Sequence, residues 1–133
     1  MKDNKSYQPT ESELEILQVL WAKEPCTVRF IFEQLSQEKE NLGYTTILVQ
    51  LQRMTKKGMV SRSKTGKTHY YSAIPKESEV QENLFKRLVK TAYKGSALDL
   101  ALHALGQAGT SDEELKAVQQ WLDQLRREDG YYF

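Results

Sequence analysis

Tyr44-Thr45-Thr46-Ile47-Leu48-Val49-Gln50-Leu51-Gln52-Arg53-Met54-Thr55-Lys56-Lys57, then Gly58-Met59-Val60-Ser61-Arg62-Ser63-Lys64-Thr65-Gly66-Lys67-Thr68-His69-Tyr70-Tyr71-Ser72-Ala73-Ile74-Pro75, is a stretch whose period changes once. The change decides the fold. Before Gly58, Ile47, Leu51 and Met54 recur at i, i+4 and i+7, the stripe of a helix over 44–57, with cations near its negative end and a glycine to stop it. Steps of about 100° place Thr45, Val49, Gln52 and Lys56 opposite that stripe, with Thr46 and Arg53 on its flank. After Gly58 two extended runs flank Thr65-Gly66-Lys67, which predicts a β-hairpin with a basic tip, closed by Pro75.

Upstream, Thr10 and Glu13 form a capping-box pair ahead of Leu14, Ile16, Leu17, Leu20 and Trp21, predicting a first helix that ends before Pro25. Glu11, Glu13 and Glu15 read as residues that complement the dipole at this helix start. A second helix follows Thr27, with Val28, Ile31, Phe32 and Leu35 on one face and a turn at Gly43. Downstream, Glu77 to Tyr93 carries Val80, Leu84, Leu88 and Ala92 on one stripe, flanked by Phe85, Val89 and Tyr93, too much apolar surface for an isolated helix. A helix around Ser96 to Gln107 contains Leu98, Leu100, Leu102 and Leu105. Past Gly109 a last helix, capped by Ser111 with Glu114 at the box position, sets Leu115, Val118, Leu122 and Leu125 in the 3-4-3 spacing of a helix-pair seam. Met1 to Gln8 and Glu128 to Phe133 read as loose ends.

The expected fold is therefore mainly α with a small β-hairpin: a winged helix-turn-helix over 1–75 and a helical dimerisation region over 76–133. Leu84, Leu88, Leu102, Leu115, Val118, Leu122 and Leu125 are the expected dimer contacts.

At 133 residues, with 39% hydrophobic and 28% charged residues, the chain can bury a modest core. No stretch has the apolar character of a signal peptide or the roughly 20 apolar residues of a membrane span, so a cytoplasmic protein without membrane insertion is expected. The single cysteine, Cys26, cannot form an internal disulfide and reads as a small apolar residue near a helix start. The net charge of +1 conceals an asymmetry. Residues 1–75 hold eleven Lys and Arg against eight Asp and Glu, and 76–133 hold eight against ten. Between Glu40 and Glu77 no acid occurs, while Arg53, Lys56, Lys57, Arg62, Lys64, Lys67 and Lys76 do. Such a stretch suits a polyanion, or is a solvated face.

An α-helix fits the major groove of duplex DNA, where Thr hydroxyls, a Gln amide and the Val49 methyls can discriminate base edges. Arg53, Lys56 and Lys57 are expected to reach phosphates, and Lys64 and Lys67 to lie over the neighbouring backbone or minor groove. With Tyr44 at the start of the helix, these residues form the expected DNA-binding set. Tyr70 and Tyr71 read as hairpin packing, and His69 as a phosphate contact or a solvent-facing residue. Two other classes fit the same element order: a winged-helix module that binds only protein, and a repressor that senses a ligand or metal. For the latter His69, His103 and Cys26 are the soft candidates, none at ligand spacing. No cofactor or metal is implied. Thr65-Gly66-Lys67 lacks the other glycines of a phosphate loop, and no HExxH or GxSxG occurs, so an enzyme is not expected.

Thr10-Glu11-Ser12-Glu13-Leu14-Glu15-Ile16-Leu17 with Trp21, Tyr44-Thr45-Thr46-Ile47, Gln52-Arg53-Met54-Thr55-Lys56-Lys57-Gly58, Tyr70-Tyr71 and Tyr93-Lys94-Gly95, in this order and spacing, resemble the penicillinase and methicillin-resistance repressors, a family that also includes copper-responsive repressors. The resemblance implies a homodimer on a palindromic double-stranded DNA operator, held together by C-terminal helices, with reading positions at Thr45, Thr46, Val49 and Arg53. Val49 stands where members commonly carry threonine, which replaces a hydrogen bond by apolar contact. The C-terminal cysteines of the copper-sensing branch are absent, so no copper site of that kind is expected. In the antibiotic-resistance branch a protease activated by a membrane sensor cuts an Asn-Phe bond. The corresponding bond here is His103-Ala104, so the resemblance marks a cleavage segment and a regulatory protease or sensor as partner without the usual cut sequence.

Overall fold

A computed structural model describes residues 7–107 and 109–128. It contains α1 (Glu11–Ala22), α2 (Val28–Ser36), α3 (Tyr44–Lys57), β1 (Val60–Thr65), β2 (Thr68–Ala73), α4 (Glu77–Ala92), α5 (Ala97–Leu105) and α6 (Asp112–Glu128). The fold is the expected one, mostly helical with a two-stranded antiparallel hairpin. The chain divides into two compact units at Lys86/Arg87, within α4.

In the first unit, α1 begins in the capping box: the Glu13 N–H donates to Thr10 Oγ1 at 3.2 Å and the Thr10 N–H donates to Glu13 Oε1 at 2.9 Å. Thr27 caps α2 through the Phe30 N–H at 3.1 Å. α3 stops at Gly58, whose φ of 81° is the left-handed conformation that glycine adopts without a Cβ penalty. The core gathers Ile16, Leu17 and Leu20 from α1, Ile31 from α2, Leu51 and Met54 from α3, Val60 from β1 and Tyr71 from β2, all essentially fully buried. Each helix thus turns its apolar stripe to one shared interior, at about 1.5–3 kcal/mol for each large side chain removed from water.

The hairpin pairs Val60 with Ala73 through to Thr65 with Thr68, around Gly66-Lys67. Gly66 has a φ of 65° at the first central position, where II′-type hairpin turns require glycine. Only Val60 of β1 is buried, so this strand extends away from the core. The hairpin is also tied to the helices where the sequence shows no strand. The Cys26 N–H donates to the Tyr71 carbonyl at 2.9 Å and the Tyr71 N–H to the Cys26 carbonyl at 2.7 Å. The Ala73 N–H donates to Glu24 Oε1 at 2.7 Å. Trp21 Nε1–H reaches the Pro75 carbonyl at 3.1 Å, and buried Val80 joins the start of α4 to this unit. Tyr7, expected in a loose end, packs against the core and accepts from Asn83 Nδ2 at 3.4 Å through its carbonyl. The rest of the N-terminal end, 1–6, and 129–133 of the C-terminal end lie outside the described residues.

The second unit is built from well-capped helices with little interior. Ser96 caps α5 through the Asp99 N–H at 3.0 Å. Ser111 and Glu114 close a full capping box on α6, at 3.0 Å and 2.8 Å. Neither α5 nor α6 contains a buried residue.

Candidate nucleic-acid interface

Burial of Ile47, Leu51 and Met54 sets the rotation of α3 about its own axis. The opposite face follows from helical geometry: Thr45, Val49, Gln52 and Lys56 are exposed there, Thr46 and Arg53 are exposed on its flank, and Tyr44 is exposed at the helix start. This brings the whole expected reading set of α3 to solvent on one element. The set combines hydroxyls, an amide, two cations and the Val49 methyls, and carries no acid that would repel a polyanion.

Lys57, expected to reach a phosphate, is paired within the protein. Its ammonium lies 2.6 Å from Glu13 Oε2, an ion pair whose carboxylate is buried against the end of α3. Glu13 therefore does more than complement the α1 dipole: it ties the start of α1 to the end of the candidate reading helix. Burial alone would raise the Glu13 carboxyl. The Lys57 ammonium and the Thr10 N–H outweigh it and hold the carboxyl below its ordinary value.

Beside α3 the hairpin presents Arg62, Lys64 and Lys67, all exposed, with Lys64 opposite half-buried His69 in the register. One residue was missed by the sequence reading. The Arg29 guanidinium, from the first turn of α2, stands 5.1 Å from the centroid of the Tyr44 ring, which meets Phe32 edge-on at 5.7 Å. The sequence shows Arg29 only as a polar position on the outer face of an amphipathic helix. Its proximity to Tyr44 is a product of the α2–α3 packing.

Residues 9–124 match the family model described as Penicillinase repressor. The chain belongs to the penicillinase repressor family. It is 26% identical over 121 residues to the methicillin resistance regulatory protein MecI of Staphylococcus aureus strain N315, covering 91% of this chain and 98% of the relative. It is 29% identical over 120 residues to the transcriptional regulator BlaI of Mycobacterium tuberculosis strain H37Rv, covering 89% and 85%. A solved MarR family protein from Bacillus stearothermophilus shares the fold at a TM-score of 0.54 and 22% identity, over 93% of this chain and 77% of that one. Membership in this family of transcriptional repressors agrees with the sequence reading and sets an enzymatic reading aside.

In this penicillinase repressor family chain, the expected dimer contacts divide between the units. Leu84 lies in the first and is half-buried; Leu88, Leu102, Leu115, Val118, Leu122 and Leu125 lie in the second. Of these, Leu88, Leu102, Leu115 and Leu122 are exposed, and Leu98 at 67% and Trp121 at 59% are among the most exposed apolar side chains. His103 and Ala104 are exposed in the last turn of α5, where His103 Nδ1 and the Tyr93 hydroxyl share a hydrogen bond of 2.7 Å.

Cys26 is buried and donates to the Lys23 carbonyl. Burial and the Glu24 carboxylate raise its thiol above the ordinary value, which disfavours the thiolate. Among the described residues no group of His, Cys, Asp and Glu could hold a metal ion, and no helix is long and apolar enough to cross a membrane.

Proposed function

We propose that this chain is a homodimeric transcriptional repressor that binds a palindromic DNA operator through α3 and the hairpin. The observation that carries the reading is the exposed, acid-free outer face of α3, held in a fixed rotation by its buried stripe. The face is one helix wide, which fits a major groove, and Arg53 and Lys56 on α3 with Arg62, Lys64 and Lys67 of the hairpin supply cations that suit phosphates. Thr45, Thr46, Val49 and Arg53 would meet base edges. Lys56, Lys64 and Lys67 would meet the backbone.

The second unit supports the dimeric part of the reading. Leu115, Val118, Leu122 and Leu125 line a seam that a single copy leaves uncovered or half-covered. A second copy related by a two-fold axis would bury it and would present two reading helices to an inverted repeat. Repression would follow from occupancy of a promoter. Relief could come from cleavage in α5: a cut at His103-Ala104 severs α6 from the reader, and with it most of the seam. A regulatory protease, driven by a sensor, would be the partner.

Selection of random duplex DNA by the purified full chain, with titration of the best sequence at two salt concentrations, tests the reading. Recovery of an inverted repeat, bound with strongly salt-dependent affinity, is the expected result. No enrichment at either salt would overturn it in favour of a winged-helix module that docks protein.

A further inference from the structure

Between the first turn of α2, the outer side of α3 and the hairpin lies an open cleft of about 500 Å³. Its lining includes Arg29 from α2, Arg62 from β1, Lys67 from the turn and His69 from β2, and it contains no carboxylate. Tyr44 and Gln52 line it from α3. A second cleft, of about 600 Å³ between α1 and α2, has Glu15 and Glu38 with Lys23 in its wall, so its signs are mixed. Three permanent cations around one concavity repel each other and lower the energy of an anion placed among them, more strongly as the walls exclude water.

The helix ends point the same way. α1, α4, α5 and α6 each carry acids in the first turn, which offset the positive end of the helix dipole. α2 and α3 carry none. The first-turn residues Val28, Arg29 and Tyr44 of these two helices are the ones that line the cleft. Arg29 is also held in place rather than left to roam, its guanidinium 5.1 Å from the centre of the Tyr44 ring.

We propose that this cleft seats the sugar-phosphate backbone of one DNA strand, and that Tyr44 and Gln52 serve that backbone rather than base edges. The inference rests on the DNA-binding reading above and divides its residues. Thr45, Thr46, Val49 and Arg53 face the bases. Arg29, Arg62 and Lys67 face phosphodiester oxygens, with the Gln52 amide and Tyr44 hydroxyl as further donors. A phosphodiester only accepts hydrogen bonds, and guanidinium, ammonium, amide N–H and phenol O–H can all donate to it without regard to base identity. This clamp fixes register and adds affinity on any sequence.

The test measures binding of the full chain, across a salt series, to its selected duplex and to a scrambled duplex of equal length. Arg29→Gln and Arg62→Gln change exposed side chains, and an unaltered unfolding midpoint confirms that each variant folds. Each should weaken both duplexes by the same factor, leave their ratio unchanged, and lower the slope of log affinity against log salt by about 0.9 for each phosphate that is no longer neutralised. Arg29→Lys should keep the slope. Gln52→Ala should weaken both duplexes equally, whereas Val49→Ala should change their ratio. Unchanged slopes in both arginine variants, beside a parent that binds normally, would overturn the cleft and leave the DNA-binding reading standing. Loss of the preference for the selected duplex in Gln52→Ala would also overturn the proposal, by assigning Gln52 to a base. A parent with no salt-dependent binding to any duplex would overturn the DNA-binding reading, and the cleft with it.

Discussion

The two units differ in where their apolar side chains go. Among the described residues every buried hydrophobic lies at or before Val80, whereas α5 and α6 bury nothing and leave Leu98, Leu102, Leu115, Trp121 and Leu122 exposed. Local helix signals do not account for the difference, because α6 has as complete a capping box as α1. Caps and period determine where helices form; whether a unit is finished depends on what covers its stripes. The first unit covers its own. On the proposed reading, a second copy covers those of the second unit, since large apolar side chains left exposed in number suit an association surface.

The largest effect that would break this contrast lies in the seam of α6. Leu115→Glu with Leu122→Glu would place four carboxylates in one interface of the dimer, and should raise its dissociation constant at least about 1,000-fold, or ~4 kcal/mol. Sedimentation velocity reads this directly, and the first unit should stay folded by circular dichroism. Leu51→Ala should do the reverse. It opens a cavity in the first unit at about 3 kcal/mol in urea unfolding while leaving the assembly state unchanged.

Two smaller effects sharpen the account of the first unit. Arg53→Ala should weaken binding to the selected duplex by about 2 kcal/mol without changing dimerisation, measured by anisotropy and sedimentation on one preparation. Glu13→Ala removes an acceptor for the Thr10 N–H and the partner of Lys57, and should cost about 1 kcal/mol of stability. Its pH dependence has a definite sign. The folded Glu13 carboxyl titrates below its ordinary value, so its contribution is complete above the ordinary carboxylate range and is lost as pH falls through the folded value. Acid titration of stability should therefore be shallower in Glu13→Ala than in the parent.

These residues also mark what the sequence discloses. Helix starts at Thr10, Thr27 and Ser111, the stop at Gly58 and the turn at Gly66 were legible because each depends on chemistry within a few positions. So was the outward face of α3, since the period of Ile47, Leu51 and Met54 determines its opposite. The Glu13–Lys57 pair was not legible. It joins residues 44 positions apart, and each had a sufficient local reading as a dipole partner or a phosphate contact. The Cys26–Tyr71 bridge escaped because a single pair of hydrogen bonds leaves no alternation in the chain. The approach of Arg29 to Tyr44 escaped because it depends on which face of α2 meets α3. The two compact units meet after Lys86, within α4, and Val80, in the first of them, is buried.

The most direct test of the central claim is sedimentation of the full chain, alone across a concentration series and with the selected duplex. The account predicts a dimer at every concentration down to the nanomolar range, and two chains on each inverted repeat. A monomer with all its helices formed, binding one chain per duplex, would contradict it.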